Sequence, residues 1–285
     1  MEEKQTGNQW IGEKSLNGFA VWLRGNEKSA ATVEKYAREA AAFVSFLGGG
    51  IVTKEQVIAY KEALAGRFCP ATVNGKLAAV NALLCFLGLP ECRVKALKFQ
   101  RQTFCPPERE LTRAEFGRLL RAAEQKQNRR LCLLLQTLCG AGVRVSELKF
   151  ITVEAARAGA ATVRCKGKSR TVFLVRALQK KLLQYAAEAG IESGPVFVTR
   201  SGKPLDRSNV WREMKGLCKP AKVDPRKVFP HNLRHLFARA FYELEKDIVK
   251  LADILGHSSV GTTRIYTVST GAEHRRKMER MRLVI

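Results

Sequence analysis

The sequence predicts a mainly α protein of two domains, with a small β-sheet in the second, on three observations. Apolar residues recur at three- and four-residue spacing along most of the 285 residues, the period of helices buried on one face. That pattern lapses once, from Gly88 to Glu110, where "GLPECRVKALKFQRQTFCPPERE" combines three prolines with several cations. Short β-branched runs are confined to a few stretches between residues 161 and 199. A hydrophobic content of 46% is enough for a packed core.

The elements follow in order. A first helix is expected over 15–24, "SLNGFAVWLR". A second, over 30–47, carries Val33, Tyr36, Ala40, Phe43 and Leu47 along one face. Thr53, with Gln56 three residues on, is a capping box that opens a third. Pro70 opens a fourth, which ends at a glycine. These make a helical domain of residues 1–90, and residues 91–110 are a basic linker. The second domain, 111–285, opens with Thr112 and Glu115 in the same capping register. Its helix "RRLCLLLQTLCGAG" is apolar nearly all round, as a buried central helix should be. "ATVRC" and "RTVFLV" flank the polar turn "KGKS" as a hairpin, and "PVFVT" is expected as another short strand after the helix "ALQKKLLQYAAEAG". Helices are expected over 206–218, 231–244, 247–256 and 259–267, with a last one in "AEHRRKMERMRL".

Charge narrows the function. The chain has 50 Lys and Arg against 26 Asp and Glu, a net charge of +24. Residues 1–100 hold 13 basic and 9 acidic side chains, so most of the excess lies in the remainder. Such asymmetry calls for a polyanionic partner gripped mainly by the second domain. No polybasic tail, lipidation signal or basic amphipathic anchor points to a membrane, which leaves nucleic acid. The eight cysteines form no C-x-x-C pair, and "MEEKQTGNQW" lacks the apolar region of a signal peptide. Reduced thiols in a cytoplasmic protein are therefore expected, and a nucleic-acid partner would place it at the nucleoid. Cys165 is the one exposed candidate, because Lys166 and Lys168 beside it would favour a thiolate.

Few residues read as chemistry when taken singly. His257 and Tyr266, nine residues apart in "LADILGHSSVGTTRIYTV", read alone as packing residues, and Arg144 in "GAGVRVSEL" as a surface cation. In "HNLRHLF", however, His231 and Arg234 are three apart and share a helical face, a pairing suited to a phosphate. His235 lies one residue on and is expected to point elsewhere.

Taken in order, "GVRVSEL", a lysine in a β-turn, "HNLRH", "LGHS" and a tyrosine resemble the tyrosine recombinases, the lambda-integrase family. The local wording is closest to Xer-type and compact mobile-element integrases. The resemblance covers about residues 111–270, and the first domain resembles that family's helical core-binding domain. It implies Arg144, His231, Arg234 and His257 as catalytic residues, Glu147 as the carboxylate supporting Arg144, and Tyr266 as nucleophile. The family's hairpin usually reads G-K-G-x-K-x-R, and "RCKGKSR" is one residue shorter. Lys166 is favoured as the general acid, with Lys168 the alternative.

The implied reaction needs no metal and no cofactor. Arg144, Arg234 and His257 would form a cationic cage around a phosphodiester, stabilising the charge that builds during attack. The product would be a 3′-phosphotyrosine and a free 5′-hydroxyl, a linkage that another strand can reverse through a Holliday junction. The partner is double-stranded DNA carrying specific sites, with a homotetramer on two duplexes. Accessory DNA-bending proteins or a second recombinase are further expected partners. The expected role is integration of a mobile element. The alternatives are Xer-type dimer resolution and, less favoured, a type IB topoisomerase-like relaxing enzyme.

Overall fold

The computed structural model describes residues 13–49, 51–98, 110–165, 168–257, 259–267 and 278–281, with backbone alone at 13, 14, 165, 168 and 264–267. The chain divides into two compact units, Met1–Arg101 and Gln102–Ile285. Among the described residues no helix is long and apolar enough to cross a membrane.

The first unit is four helices, α1 (Glu13–Gly25), α2 (Ala30–Leu47), α3 (Lys54–Ala65) and α4 (Pro70–Phe86). The capping box of Thr53 and Gln56 forms, so two backbone N–H groups that α3 leaves unpaired are satisfied locally. Phe19, Phe43, Leu77, Leu83 and Leu84 are fully buried at the centre. The chain does not leave this unit at the end of α4. Asn81 exchanges two hydrogen bonds with the backbone of Val94, at 2.9 and 3.0 Å, and Asn74 does the same with Leu97, at 2.9 and 2.7 Å. Asn74 and Asn81 are two helical turns apart, so their amides hold an extended strand of chain along α4.

The second unit is α5 (Arg113–Gln125), α6 (Arg129–Gly140), α7 (Val153–Ala158), strands β1 (Ala160–Cys165) and β2 (Lys168–Phe173), α8 (Arg176–Glu188), α9 (Arg207–Lys215), α10 (Cys218–Ala221), α11 (Pro230–Glu245), α12 (Ile248–Leu255) and α13 (Val260–Thr267). It is mainly helical with one small sheet, the fold class the sequence predicts. Thr112 and Glu115 form their capping box. Helix α6 runs through the core with Leu131, Leu133, Leu134, Leu135 and Leu138 buried, and packs on α5, α8 and α11. Strands β1 and β2 pair antiparallel with Cys165 opposite Lys168, which leaves positions 166 and 167 between them.

The strand expected in "PVFVT" does not form. Pro195 and Val198 make only isolated bridges, to Thr152 and Pro204. Pro195 and Pro204 have no N–H to donate, which breaks any ladder. Val196 and Phe197 are nonetheless buried, and their backbone bonds to Ile151 and Leu205. Burial, rather than strand pairing, explains the apolar run.

Candidate active site

The site begins where α6 ends. Gly142 takes φ +60, and a Cβ there would collide with the Phe237 ring, so only glycine lets this turn pass so close to α11. Its carbonyl accepts a hydrogen bond from Arg234 Nη1 at 2.5 Å. Two residues later, Arg144 caps a 3₁₀ turn, Val145–Phe150, with Glu147 as its third residue. Glu147 is the hub. Its Oε2 accepts from the Arg144 backbone N–H at 2.8 Å and from Arg170 Nη2 at 2.7 Å, and its Oε1 accepts from Arg144 Nη1 at 2.8 Å. Arg234 Nη1 lies 3.9 Å away. Burial pushes the Glu147 carboxyl up, but the Arg144 N–H and the Arg170 and Arg144 guanidiniums outweigh it, and the net shift is down. Removing one partner from a buried charge cluster of this kind costs about 3–5 kcal/mol.

Helix α11 supplies His231 and Arg234 from one face. Arg234 is 1% exposed. Its Nη2 donates to the Leu255 carbonyl at 2.5 Å and meets His257 Nε2 at 3.1 Å. Arginine has no acceptor, so His257 Nε2 must offer its lone pair. The ring proton then sits on Nδ1, which donates to Thr263 Oγ1 at 2.9 Å. Burial pushes the His257 pKa down to about 4, helped by Arg234, Arg144, Arg170 and His231. In this structure His257 is therefore a neutral imidazole, where the cage described above expects a cation.

His235 does not line the cleft that His231 and Arg234 share, in keeping with expectation, but it touches His231. Its ring stands edge-on to that of His231, centroids 4.7 Å apart. The two are four apart on α11, and four-residue neighbours share a face. Burial pushes His235 down to about 4, with His231 and Arg234 adding to it. Burial, Arg234, Arg144 and Arg207 lower His231 as well. An unfolded chain titrates histidine near ~6.5. Between that value and about 4 the unfolded state binds more protons than the folded one, so stability falls as pH falls through this window. Each such histidine contributes up to ~1.4 kcal/mol per pH unit. The melting temperature should fall on acidification from pH ~6.5 to ~4.5, before the lowered carboxylates titrate, and His235→Asn should flatten that fall. Thermal scans across this range check it, and an unchanged slope in the variant would show that other groups set it.

Arg144, His231 and Arg234 line one cleft of about 740 Å³. Lys149, Arg207, Trp211 and Lys215 line it too, and none of these four was singled out from the sequence. The Lys215 ammonium lies 5.2 Å from the centroid of the half-exposed Trp211 ring. A basic residue in the first turn of α9 carries no sequence signal of its own, because only the tertiary fold brings that helix to Arg144. Thr263, fully buried against His257, was also missed. It stands three residues before Tyr266, so the bond from His257 fixes the helix that carries position 266. The side chains of Tyr266 and Lys168, and all of Lys166, lie outside the described residues.

Cys165 is not the one exposed candidate: among the described cysteines Cys69 and Cys85 are exposed, and the Thr72 hydroxyl lowers the Cys69 thiol pKa, but both lie in the first unit rather than the one that holds this site. Burial pushes Cys139 up to about 12 and also raises Cys92, Cys132 and Cys218, which keeps them as thiols. The side chain of Cys165 lies outside the described residues. Among the described residues no group of three or more His, Cys, Asp or Glu side chains could hold a metal ion.

Two arginines and a histidine lining one cleft, with His257 against Arg234 and a buried carboxylate organising them, make an anion-handling site on a helical scaffold. Residues 109–273 match the phage integrase family, and the chain belongs to that family, the tyrosine recombinases. It is 30% identical over 278 residues to the tyrosine recombinase XerA of Pyrococcus furiosus, covering 94% of each chain. The crystal structure of XerA recombinase matches 95% of this chain and 99% of its own, with a TM-score of 0.54 and 27% identity. A lambda integrase dimer bound to a COC′ core site shares the fold at a TM-score of 0.71, with 16% identity over 91% of this chain and 78% of that one.

Proposed function

We propose that this tyrosine recombinase cuts and rejoins double-stranded DNA through a phosphotyrosine at Tyr266, with Arg144, His231, Arg234 and His257 gathered around the scissile phosphate. The observation that carries this reading is the convergence of those four side chains beside the helix holding position 266. One prong of Arg144 is spent on Glu147, and the side chain is 35% exposed, so the rest of the guanidinium faces the cleft. Arg234 is held rigid by two backbone carbonyls, and a fixed charge stabilises a transition state without reorganising. His231, exposed at the cleft and with its pKa lowered by desolvation and by Arg234, Arg144 and Arg207, accepts the phenol proton as the Tyr266 oxygen attacks phosphorus. The bond to the 5′-oxygen breaks, and a lysine of the β1–β2 turn protonates that oxygen. The products are a 3′-phosphotyrosine and a 5′-hydroxyl, and attack by another strand's 5′-hydroxyl reverses the step. A phosphodiester placed against His257 favours its protonated form, which restores the third cation once DNA is bound.

The partner is DNA bearing specific sites, gripped by a homotetramer on two duplexes. The solved lambda integrase tetramer bound to a Holliday junction, whose fold this chain shares, supports that assembly. The reaction serves integration of a mobile element in the cytoplasm, at the nucleoid. The match to the tyrosine recombinase XerA over 94% of each chain favours an Xer-type role, chromosome or plasmid dimer resolution, as the second reading. Denaturing capture of covalent protein–DNA complexes formed on DNA flanking the gene, followed by sequencing, tests the proposal. Cleavage at one defined sequence supports it, and the absence of any covalent complex sinks it.

The lysine assignment has its own test. Lys166→Ala should slow strand cleavage strongly, about 10²–10⁴-fold if it removes a general acid. A substrate with sulfur in place of the bridging 5′-oxygen should restore most of the rate, because a thiolate leaves without a proton. If Lys168→Ala shows that rescue and Lys166→Ala does not, the roles are exchanged.

A further inference from the structure

From the bonds it makes, we infer that Arg170 is a positioning residue that sets the lysine turn and His257 in register with Arg144. The inference rests on the recombinase reading of this site. Arg170 sits on β2, two residues past Lys168 and four past Lys166. Its side chain is 12% exposed and reaches two other segments at once. Nη2 donates to Glu147 Oε2 at 2.7 Å, and Nη1 donates to the Ile254 carbonyl at 2.8 Å, near the end of α12. Its stem lies across Gly256, where a Cβ would collide with the Arg170 Cδ, and Gly256 takes φ +64. Glycine is therefore required there twice, for its backbone angle and for the guanidinium stem. His257 follows directly.

One side chain thus ties together three pieces of the site that lie far apart in sequence. Glu147 is 23 residues from Arg170, and Ile254 is 84 residues away. A short two-stranded hairpin is a weakly stabilised element by itself, so the position of its turn depends on what anchors β2. Arginine suits the task because its planar fork serves two acceptors in fixed directions, which a lysine ammonium does not. The same carboxylate that orients Arg144 orients Arg170, so the phosphate-binding arginine and the hairpin share a reference point.

The test is single-turnover cleavage of a nicked DNA substrate by full-length R170M and R170K, with an ordinary 5′-bridging oxygen and with sulfur in its place. On ordinary DNA, R170M cleavage should fall about 10–100-fold, as expected when reacting groups are misplaced by up to about 1 Å, with DNA affinity within about threefold. Sulfur should shrink that deficit several-fold, measured against the unaltered protein on the same substrate, because the share of it that comes from a misplaced lysine turn is lost leaving-group protonation. R170K, which keeps the charge but not the fork, should show a smaller loss with the same rescue, and it carries the test if R170M fails to fold. Equal losses on both substrates, or no loss on either, would overturn the role of Arg170 while leaving the recombinase reading intact. Failure of the unaltered protein to form a covalent complex on either substrate would overturn both.

Discussion

Tyr266→Phe should bind its DNA with nearly unchanged affinity and form no covalent complex with it. The change removes one hydroxyl and no charge. The arginines that would grip the phosphate are anchored elsewhere, Arg144 on Glu147 and Arg234 on the carbonyls of Gly142 and Leu255. The bond that fixes α13 uses Thr263 and His257, which the substitution leaves alone. Phenylalanine has no oxygen to attack phosphorus, so the loss is complete rather than graded. The measurement is gel separation under denaturing conditions after incubation with a nicked suicide substrate, with affinity read separately by a binding assay. A covalent band persisting in the variant would assign the nucleophile to another residue. Loss of binding together with cleavage would show that Tyr266 is a structural residue.

DNA affinity should fall about 10³–10⁵-fold between ~50 and ~200 mM salt, as expected for roughly 6–10 neutralised phosphates per protomer. The chain carries +24 overall, with 37 of its 50 Lys and Arg beyond residue 100. Much of that charge is not spent internally: Lys149, Arg207 and Lys215 line the cleft beside Arg144 and His231. Arginines committed to buried carboxylates, such as Arg170, do not release counterions on binding, so the slope counts the surface cations alone. Titrations at several salt concentrations, plotted as log affinity against log salt, give the number directly. A slope corresponding to one or two phosphates would argue that the charge serves another partner.

Much of this protein was legible in its sequence because much of it is decided locally. The capping boxes Thr53–Gln56 and Thr112–Glu115 form as read, since each needs only four consecutive residues. The apolar all-round run in α6 marked the central helix of its unit. The three-residue spacing of His231 and Arg234 placed both on one face of α11, and both line the same cleft. The four-residue spacing of His231 and His235 is written in the sequence in the same way, and it brings the two rings edge to face.

What the tertiary structure decided concerns contacts and protons across long stretches of chain. "PVFVT" has the composition of a strand, but a strand needs a ladder partner, and Pro195 and Pro204 stand where the partners meet. Asn74 and Asn81 are unremarkable polar positions on α4 until Val94 and Leu97 arrive beside them. Arg170 is one cation among 50 in the sequence, and its place between Glu147 and Ile254 exists only once the hairpin, the 3₁₀ turn and α12 have packed. The charge on His257 follows the same rule. Sequence supplies an imidazole that titrates near neutrality, whereas burial and the Arg234 and Thr263 bonds fix its tautomer and push it down to about 4. Helical periodicity is written over three or four residues, but desolvation and the field of distant charges are set only by what folds around the group.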